Sequence, residues 1–314
     1  MPMESHPPKI TQLDQTRLAC DASQLATDEG IPSMLEHARD VQSDAEESAR
    51  ATLAVELSLS QALLACSAWF ALALHANQGN QRLFPRDWLE PEGSRNPDVI
   101  MSCVLCQLTN YSHSVIELVT RGLDTPARAL LRSTADLSYM LAVLMADRET
   151  FKAYVLDKSS LPKDHWYKLF SNRKIATRIS RIDAKFGLPQ EWTDYMRLFR
   201  EDNNEFFSEA VHHSPRAILI GALPTIPGTD RVELALFGGA PSASGATLGY
   251  LVTSLIYGLT MFVETCERGE EYIPEFSQPQ FWEAGMAMYR RVEPVFINWL
   301  QEQERVNNRM DTGA

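Results

Sequence analysis

Apolar residues recur with a helical period along most of the chain, between short polar breaks. From Pro32 to His75, an acidic first half leads into a second half rich in Ala and Leu, which must be buried on most of its faces. The same period predicts further helices along the rest of the chain. They cover about 98–121, 124–146, 148–157, 162–186, 189–212, 242–267 and 278–305.

Gly122 separates the helices predicted over 98–121 and 124–146. A glycine at this place is typical of a helix C-cap, and Asp124 or Thr125 can serve as the next N-cap. Because so few residues join the two helices, they must form an antiparallel helical hairpin.

Two short apolar runs, RAILIGALPT and RVELALFGG, flank a Pro-Gly turn and predict a β-hairpin at about 216–238. The fold class expected is therefore all-α, a multi-helix bundle with a small inserted β-hairpin. Residues 32–306 should form a single helical domain. A flexible N-terminal tail (1–31) should precede it, and a disordered tail (307–314) should follow.

Charge is distributed unevenly along the chain, whose net charge is −12. Residues 1–60 carry eleven acids against four bases, whereas residues 121–200 carry fifteen bases against nine acids. The acidic total argues against a general nucleic-acid coat but is compatible with a local basic patch.

Cysteine usage indicates a reducing compartment. Five cysteines are an odd number, and a chain of 314 residues needs no disulfides to hold its core. Cys103 and Cys106 lack the second pair that a zinc site requires, so we expect both to be buried as small hydrophobic residues. The localisation predicted is cytoplasmic.

One segment resembles a membrane span, because no charge falls between Glu233 and Glu264. Several Gly, Ser and Thr residues dilute its apolar centre, which falls short of the roughly 20 predominantly apolar residues that a span needs. The opening residues are polar and rich in proline, unlike a signal peptide. We predict a buried core helix and no membrane contact.

Arg132 is a charged residue in an apolar setting. It follows Ala129, Leu130 and Leu131, and Asp136 lies four residues further on the same helix face. Antiparallel pairing of the two helices places His113 level with Arg132. A charge in this setting is either paired and buried or lines a pocket, and the sequence leaves both interpretations open.

A second polar cluster lies in FREDNNEFFSEAVHHSP. Glu205, Glu209 and His212 form one helical stripe with His213 beside it, and Glu209 and His212 have the E-x-x-H spacing of di-iron bundles. Those bundles need a second E-x-x-H, which the sequence lacks, so we predict neither a metal nor a cofactor. The two histidines can instead stabilise a helix C-terminus.

A basic stripe follows one face of the helix predicted over 162–186. Its members are candidates for phosphate binding: Lys174, Arg178, Arg181 and Lys185. Ile175, Ile179, Ile182 and Phe186 form the adjoining apolar face. The stripe is either a solvated face of an ordinary amphipathic helix or a track for RNA or another phosphate.

The run SHSVIELVTRGLDTPARALLRSTADLSYML and the later SEAVHHS segment resemble an uncharacterised, all-helical bacterial domain family. In that family a helix pair around a glycine carries an Arg with an acid four residues later, followed downstream by Ser-x-x-Val-His. The resemblance covers about 98–220 and assigns these roles to Arg132, Asp136 and His212. It implies a distant similarity to HEPN domains, many of which are ribonucleases of toxin and phage-defence systems. The R-x(4–6)-H spacing of HEPN nucleases has no counterpart in this sequence.

Two classes of function follow. The first is a cytosolic helical interaction or regulatory protein, acting as a homo-oligomer or with a protein partner, in which the Arg132, Asp136 and His212 cluster is structural. The alternative is a HEPN-like enzyme of a stress or phage-defence system that acts on RNA, single-stranded DNA or a nucleotide. In the alternative, Arg132 would bind phosphate and His212 would act as general acid or base.

Overall fold

The computed structural model describes residues 30–77, 83–84, 96–156, 167–212, 214–225, 231–232, 234–239, 244–269, 272 and 275–312. Helices dominate these ranges, so the all-α prediction is confirmed. The helices are α1 Gly30–Thr52, α2 Ala54–His75, α3 Pro97–Thr120, α4 Asp124–Ala146, α5 Arg148–Leu156, α6 Asn172–Phe186, α7 Gln190–Val211, α8 Pro215–Ala222, α9 Ser244–Arg268 and α10 Pro279–Thr312.

The core is a bundle of four helices, α2, α3, α4 and α9. In this bundle α2 packs on α3, α3 on α4, α4 on α9, and α9 back on α2. Phe70, Leu105, Leu141 and Phe262 are fully buried where the four helices meet. The remaining helices pack outside: α10 covers α2, and α5, α6 and α7 cover α4. The second layer around α4 creates the cleft described below.

The segment from Pro32 to His75, predicted as one helix, is divided at Leu53. Leu53 has φ −119° and ψ 27°, yet its N–H donates to the Ala49 carbonyl and its own carbonyl accepts from Leu57 N–H. The helix is therefore kinked without losing its hydrogen bonds. The kink falls where the acidic half of the segment gives way to the apolar half.

The helix C-cap at Gly122 is formed as predicted, but the predicted N-cap is wrong, because α4 begins at Asp124 after Leu123 and has no side-chain cap. Gly122 has φ 73°, its N–H donates to Val119 O, and Leu123 N–H donates to Leu118 O, which is the Schellman pattern of a helix C-terminus. A Cβ at position 122 would collide with the backbone of Gly239. Only glycine fits both requirements.

The inserted β-hairpin is not seen in the described part of 216–238, and its first arm is helix α8. Ser214 is the N-cap, its Oγ accepting from Ala217 N–H, and Pro215 occupies the first helical position. This start signal outweighs the strand propensity of the residues that follow. A single antiparallel bridge joins Thr225 to Val232, and residues 226–230 and 233 lie outside the described residues.

Several predicted boundaries differ from the structure near the chain ends and before α6. The predicted helix over 162–186 begins at residue 172 as α6, after a short helical turn at 167–169, and 162–166 lie outside the described residues. Its end is as expected, with Gly187 in the left-handed C-cap conformation. Helix α10 continues to Thr312, past the predicted tail start at 307, whereas most of the predicted tail 1–31 lies outside the described residues.

Three helices are long and apolar enough to cross a membrane by length and composition alone: α2, α4 and α9. In the folded chain 50%, 61% and 83% of their apolar windows are buried against other helices. The expectation that α9 is a core helix agrees with its burial. The absence of membrane contact and the cytoplasmic localisation stay predictions.

Candidate ligand-binding cleft

A cleft of about 300 Å³ opens between α4, α6 and α7. Helix α4 contributes Arg132, Asp136 and Tyr139, which follow one another at helical spacing on a single face. Helix α6 contributes small residues, and α7 contributes further charged side chains. The polar side chains on these two helices that could contact a ligand include Ser180 on α6 and Arg197 and Arg200 on α7. The cleft therefore combines three guanidinium groups with the carboxylates of Asp136 and Glu201. Arg197 is already paired with Glu201 and Asp194, so Arg132 and Arg200 are the arginines that concern a ligand.

Arg132 and Asp136 are both half-buried in the cleft wall. Within the described part of the chain, the two side chains do not close into an ion pair. Burial raises the pKa of the Asp136 carboxyl from 3.8 to about 6, and the positive charge of Arg132 opposes that rise. Asp136 thus changes its protonation state close to neutral pH.

Arg200 lies across the cleft from this pair. Its guanidinium carbon is 5.9 Å from the centroid of the Tyr139 ring, within the range of a cation–π contact. Its Nη1 atom is buried, and no acceptor for it is found among the described residues. A buried donor without an acceptor loses its hydrogen bond to water without replacement, so it is a costly feature of a folded chain.

A second cavity, of about 250 Å³, lies between α6 and α7 and shares Ser180, Arg197 and Arg200 with the cleft. Asp183 lines it and accepts a hydrogen bond of 2.8 Å from the Tyr257 hydroxyl of α9. Burial raises the pKa of Asp183, opposed by the Tyr257 hydrogen bond and by the charge of Arg200. Arg200 therefore stands between two cavities.

The buried structural ion pair of α4 is formed by Arg128, one turn before Arg132. Arg128 Nη2 lies 2.5 Å from Asp124 Oδ2, and their side chains are only 7% and 5% exposed. Thr247 of α9 joins them, since its hydroxyl donates to Asp124 and accepts from Arg128 Nε. The structure thus assigns to Arg128 the buried pairing considered for Arg132.

The other predicted members of the cluster lie outside the cleft lining. His212 is exposed at the C-cap of α7, and His113 is exposed on α3. Glu209 is half-buried and lies 3.7 Å from Arg216 of α8. His213 lies outside the described residues. Of the proposed catalytic set, the structure brings only Arg132 and Asp136 to a common cavity.

Two members of the basic stripe are already bonded to other groups of the chain. Lys174 Nζ donates to the carbonyls of residues 167 and 168, and Arg178 donates to the Leu169 carbonyl and lies 3.7 Å from Asp147. Their positive charges therefore stabilise the carbonyl end of the short helical turn before α6. Arg181 and Lys185 are exposed. The apolar side of the helix is buried through Ile175, Ile179 and Ile182, as predicted.

No group of three or more His, Cys, Asp or Glu side chains suited to a metal ion occurs among the described residues. Cys103 and Cys106 were expected to be buried and are both exposed, whereas Cys66 and Cys266 are buried. The two exposed thiols lie on the outer face of α3. The apolar residues beside them in the sequence had suggested that this face is buried.

Arg200 and Arg128 are the residues that sequence reasoning missed. Arg200 follows the buried Met196 at i+4, which places it on the apolar face of α7. Asp124 precedes Arg128 by four residues, the favourable order for a helical ion pair, whereas Arg132 precedes Asp136 in the reverse order. These spacings mark Arg200 and Arg128 as candidates, but their partners on other helices are not visible in the sequence.

No protein-family model, curated protein or solved structure matches the chain. The similarity to an all-helical HEPN-like family therefore stays a prediction. The functional interpretation below depends on the geometry of the cleft.

Proposed function

We propose that this chain is a regulatory helical protein that binds a small organic anion in the cleft between α4, α6 and α7. The proposal is a specific form of the interaction or regulatory function expected from the sequence. Arg200 and Arg132 would hold the anionic group, and Tyr139 would pack against its apolar part.

The buried Nη1 of Arg200 is the observation that carries the proposal. A carboxylate or phosphate oxygen is the acceptor that a guanidinium binds most strongly, through short, charge-assisted hydrogen bonds. Arg132 on the facing helix lines the same cleft without an ion pair in the described part of the chain. Of the two carboxylates that also line the cleft, Glu201 is paired with Arg197 and the pKa of Asp136 is raised to about 6, so Arg132 and Arg200 still favour an anionic ligand.

The charge distribution supports a small anion over a polymer. Residues 121–200, which include α4 and α6, carry an excess of bases in a chain of net charge −12. The net negative charge of the chain disfavours a long polyanion, whereas the excess of bases in this segment favours a single anionic group near the cleft. On the basic stripe, Lys174 and Arg178 are already bonded to the chain's own carbonyls.

Thermal unfolding with a panel of organic carboxylates, phosphates and sulfonates tests the proposal. A ligand at about 100 times its Kd stabilises the folded state by about 2.7 kcal/mol, which raises the Tm by several degrees. We expect at least one anion class to do so in the wild type. At the same ligand concentration, Arg200→Ala should reduce the shift by at least about half.

The matched control is Arg173→Ala, which removes an exposed arginine of α6 outside the cleft lining. It should leave the ligand-induced shift unchanged. Equal shifts in wild type and Arg200→Ala, or no shift with any anion, would contradict the proposal.

Asp136 supports a second candidate, an enzyme acting on a phosphorylated substrate. A carboxyl group with a pKa of about 6 inside a cleft is suited to general acid–base work, and Arg132 beside it would bind phosphate. Asp136 would then take the role assigned to His212 by the resemblance. Turnover of a nucleotide or RNA that Asp136→Asn abolishes, with binding retained, would favour this candidate.

The predicted homo-oligomer or protein partner stays a prediction. Around α8, several large apolar side chains are exposed by 40–70% of their surface: Ile218, Leu219, Leu223, Val232, Leu234 and Leu236. Such exposure is typical of surfaces that contact other molecules. Sedimentation equilibrium would establish the oligomeric state.

A further inference from the structure

An apolar groove lies between the α3–α4 hairpin and α5, at the edge of the hydrophobic core. Val99, Cys103 and Val104 line it from α3, Leu137 and Met140 from α4, and Tyr154 from α5. Its volume is about 570 Å³, inside the range of about 300–1,000 Å³ that ligand sites occupy. It presents almost no charge.

This groove is linked to the cleft through a third cavity of about 390 Å³. Gln107 and Leu137 line both the groove and the third cavity, whereas Asp136 lines both the third cavity and the cleft. The three spaces therefore adjoin one another along α4, and the lining of the third is mainly polar: Gln107, Tyr111, Ser133 and Asp136.

The helical geometry of α4 explains this continuity. At about 100° per residue, Asp136 lies about 40° round the helix from Arg132, and Met140 lies about 40° further. These three residues form one slanting row from the cationic cleft to the apolar groove. The row is about 12 Å long at 1.5 Å per residue, a distance that a chain of about ten carbons spans.

We propose that the ligand is an amphipathic anion, such as a medium-chain fatty acid, with its head group at Arg132 and Arg200 and its chain running past Asp136 so that its end enters the apolar groove. The proposal rests on the anion site described above and adds the chemical class of the ligand. A charged cleft joined to an uncharged groove is complementary to a molecule with these two ends. A ligand carrying only the anion would leave the groove exposed to water.

Isothermal titration with a chain-length series separates the contributions of the ligand's head group and of its chain to the affinity. Acetate, hexanoate and decanoate share a carboxylate, whereas decan-1-ol has the chain without the charge. Each buried CH₂ contributes about 0.8 kcal/mol, or about fourfold in Kd. We expect decanoate to bind at least tenfold more tightly than hexanoate, and decan-1-ol to bind more weakly than decanoate.

Two exposed cysteines of α3 provide a matched pair of variants. Cys103 lines the groove and Cys106 does not, although both are exposed. Cys103→Trp should fill the groove and remove the gain with chain length, whereas Cys106→Trp should retain it. In the wild type, decanoate should protect Cys103, and not Cys106, from alkylation by a maleimide.

The outcomes distinguish this inference from the anion site on which it rests. If short and long carboxylates bind equally, or if Cys103→Trp binds decanoate like the wild type, the groove holds no chain and the inference fails while the anion site stands. If decan-1-ol binds as tightly as decanoate and Arg200→Ala changes neither, the groove acts alone and the anion site is wrong. If no carboxylate binds, this inference is overturned, and the anion site with it unless another anion of the panel binds.

Discussion

Two arginine–aspartate pairs lie one turn apart on α4, and their environments differ. Arg128 and Asp124 are closed at 2.5 Å, almost fully buried and bonded to Thr247. Arg132 and Asp136 are half-buried, line a cleft and do not close. The charges of the first pair are bonded to each other within the chain. The charges of the second pair are not bonded to each other and can contact a ligand. Residue order on the helix and the presence of a third partner explain this difference.

The largest expected effect concerns stability and falls on the closed pair. Arg128→Ala leaves Asp124 buried with an uncompensated charge and should lower the free energy of unfolding by about 3–5 kcal/mol. Arg132→Ala should lower it by about 0–1 kcal/mol, since an open, partly exposed pair contributes little. Urea unfolding of both variants measures the contrast. A larger loss for Arg132→Ala would reverse the assignment of the structural pair.

The next effect concerns binding and falls on the cleft. Arg200→Ala should weaken the bound anion by about 10–100-fold, because a hydrogen bond to a charged group contributes about 1.5–3 kcal/mol. Arg200→Lys should restore only part of the loss, since an ammonium lacks the planar fork of the guanidinium. Isothermal titration measures both. Unchanged affinity in Arg200→Ala would place the anion elsewhere.

Asp136, in the open pair, predicts a pH dependence of the free energy of unfolding. Its pKa rises from 3.8 to about 6 on folding, so between these values the folded chain holds a proton that the unfolded chain releases. The contribution of Asp136 to stability is therefore greatest below pH 3.8 and is lost as the pH rises through about 6. Asp136→Asn should abolish that loss and stabilise the chain at pH 7 by about 1–3 kcal/mol.

Unfolding measured from pH 4 to pH 8 tests this sign. Glu191→Gln is the control, because Glu191 is an exposed carboxylate on α7 outside the cleft lining. Its stability profile should parallel that of the wild type. A profile for Asp136→Asn that also parallels the wild type would show that Asp136 keeps an ordinary pKa.

The smallest expected effect concerns the exposed end of the basic stripe. Replacing Arg181 and Lys185 together by Glu should leave the Tm within about a degree, since exposed charges contribute little to folding. If RNA binds the stripe, its affinity should fall with salt at a slope near 0.7 per neutralised phosphate, and the double variant should reduce that slope. A gel shift at low salt without a retarded species would leave the stripe as a solvated face.

The presence of the helices was predictable because apolar residues recur wherever one face of a helix is buried. The turn at Gly122 was equally readable, because a left-handed C-cap between two helices admits little except glycine. The segment after Ser214 was misread because strand propensity in an isolated apolar run is weak against an N-cap followed by proline. In such a segment, an N-cap followed by proline is a better guide to secondary structure than strand propensity.

The candidate site was readable only in part. Arg132 and Asp136 were found because an ion in an apolar context is conspicuous in a sequence. Arg200 comes from a helix 68 residues later in the chain, and only tertiary packing places it opposite them. Which of two arginines on α4 is closed depends on Thr247 of α9, another contact that local patterns do not contain.

The most direct test of the central claim is a crystal structure of the wild type grown with the anion that gives the largest stabilisation. We expect a carboxylate or phosphate oxygen within about 2.7–3.1 Å of Arg200 Nη1. Arg132 should face the same group, and the Arg128–Asp124 pair should be unchanged. An Arg200 Nη1 bonded to a protein carbonyl or carboxylate, with the anion bound elsewhere, would contradict it.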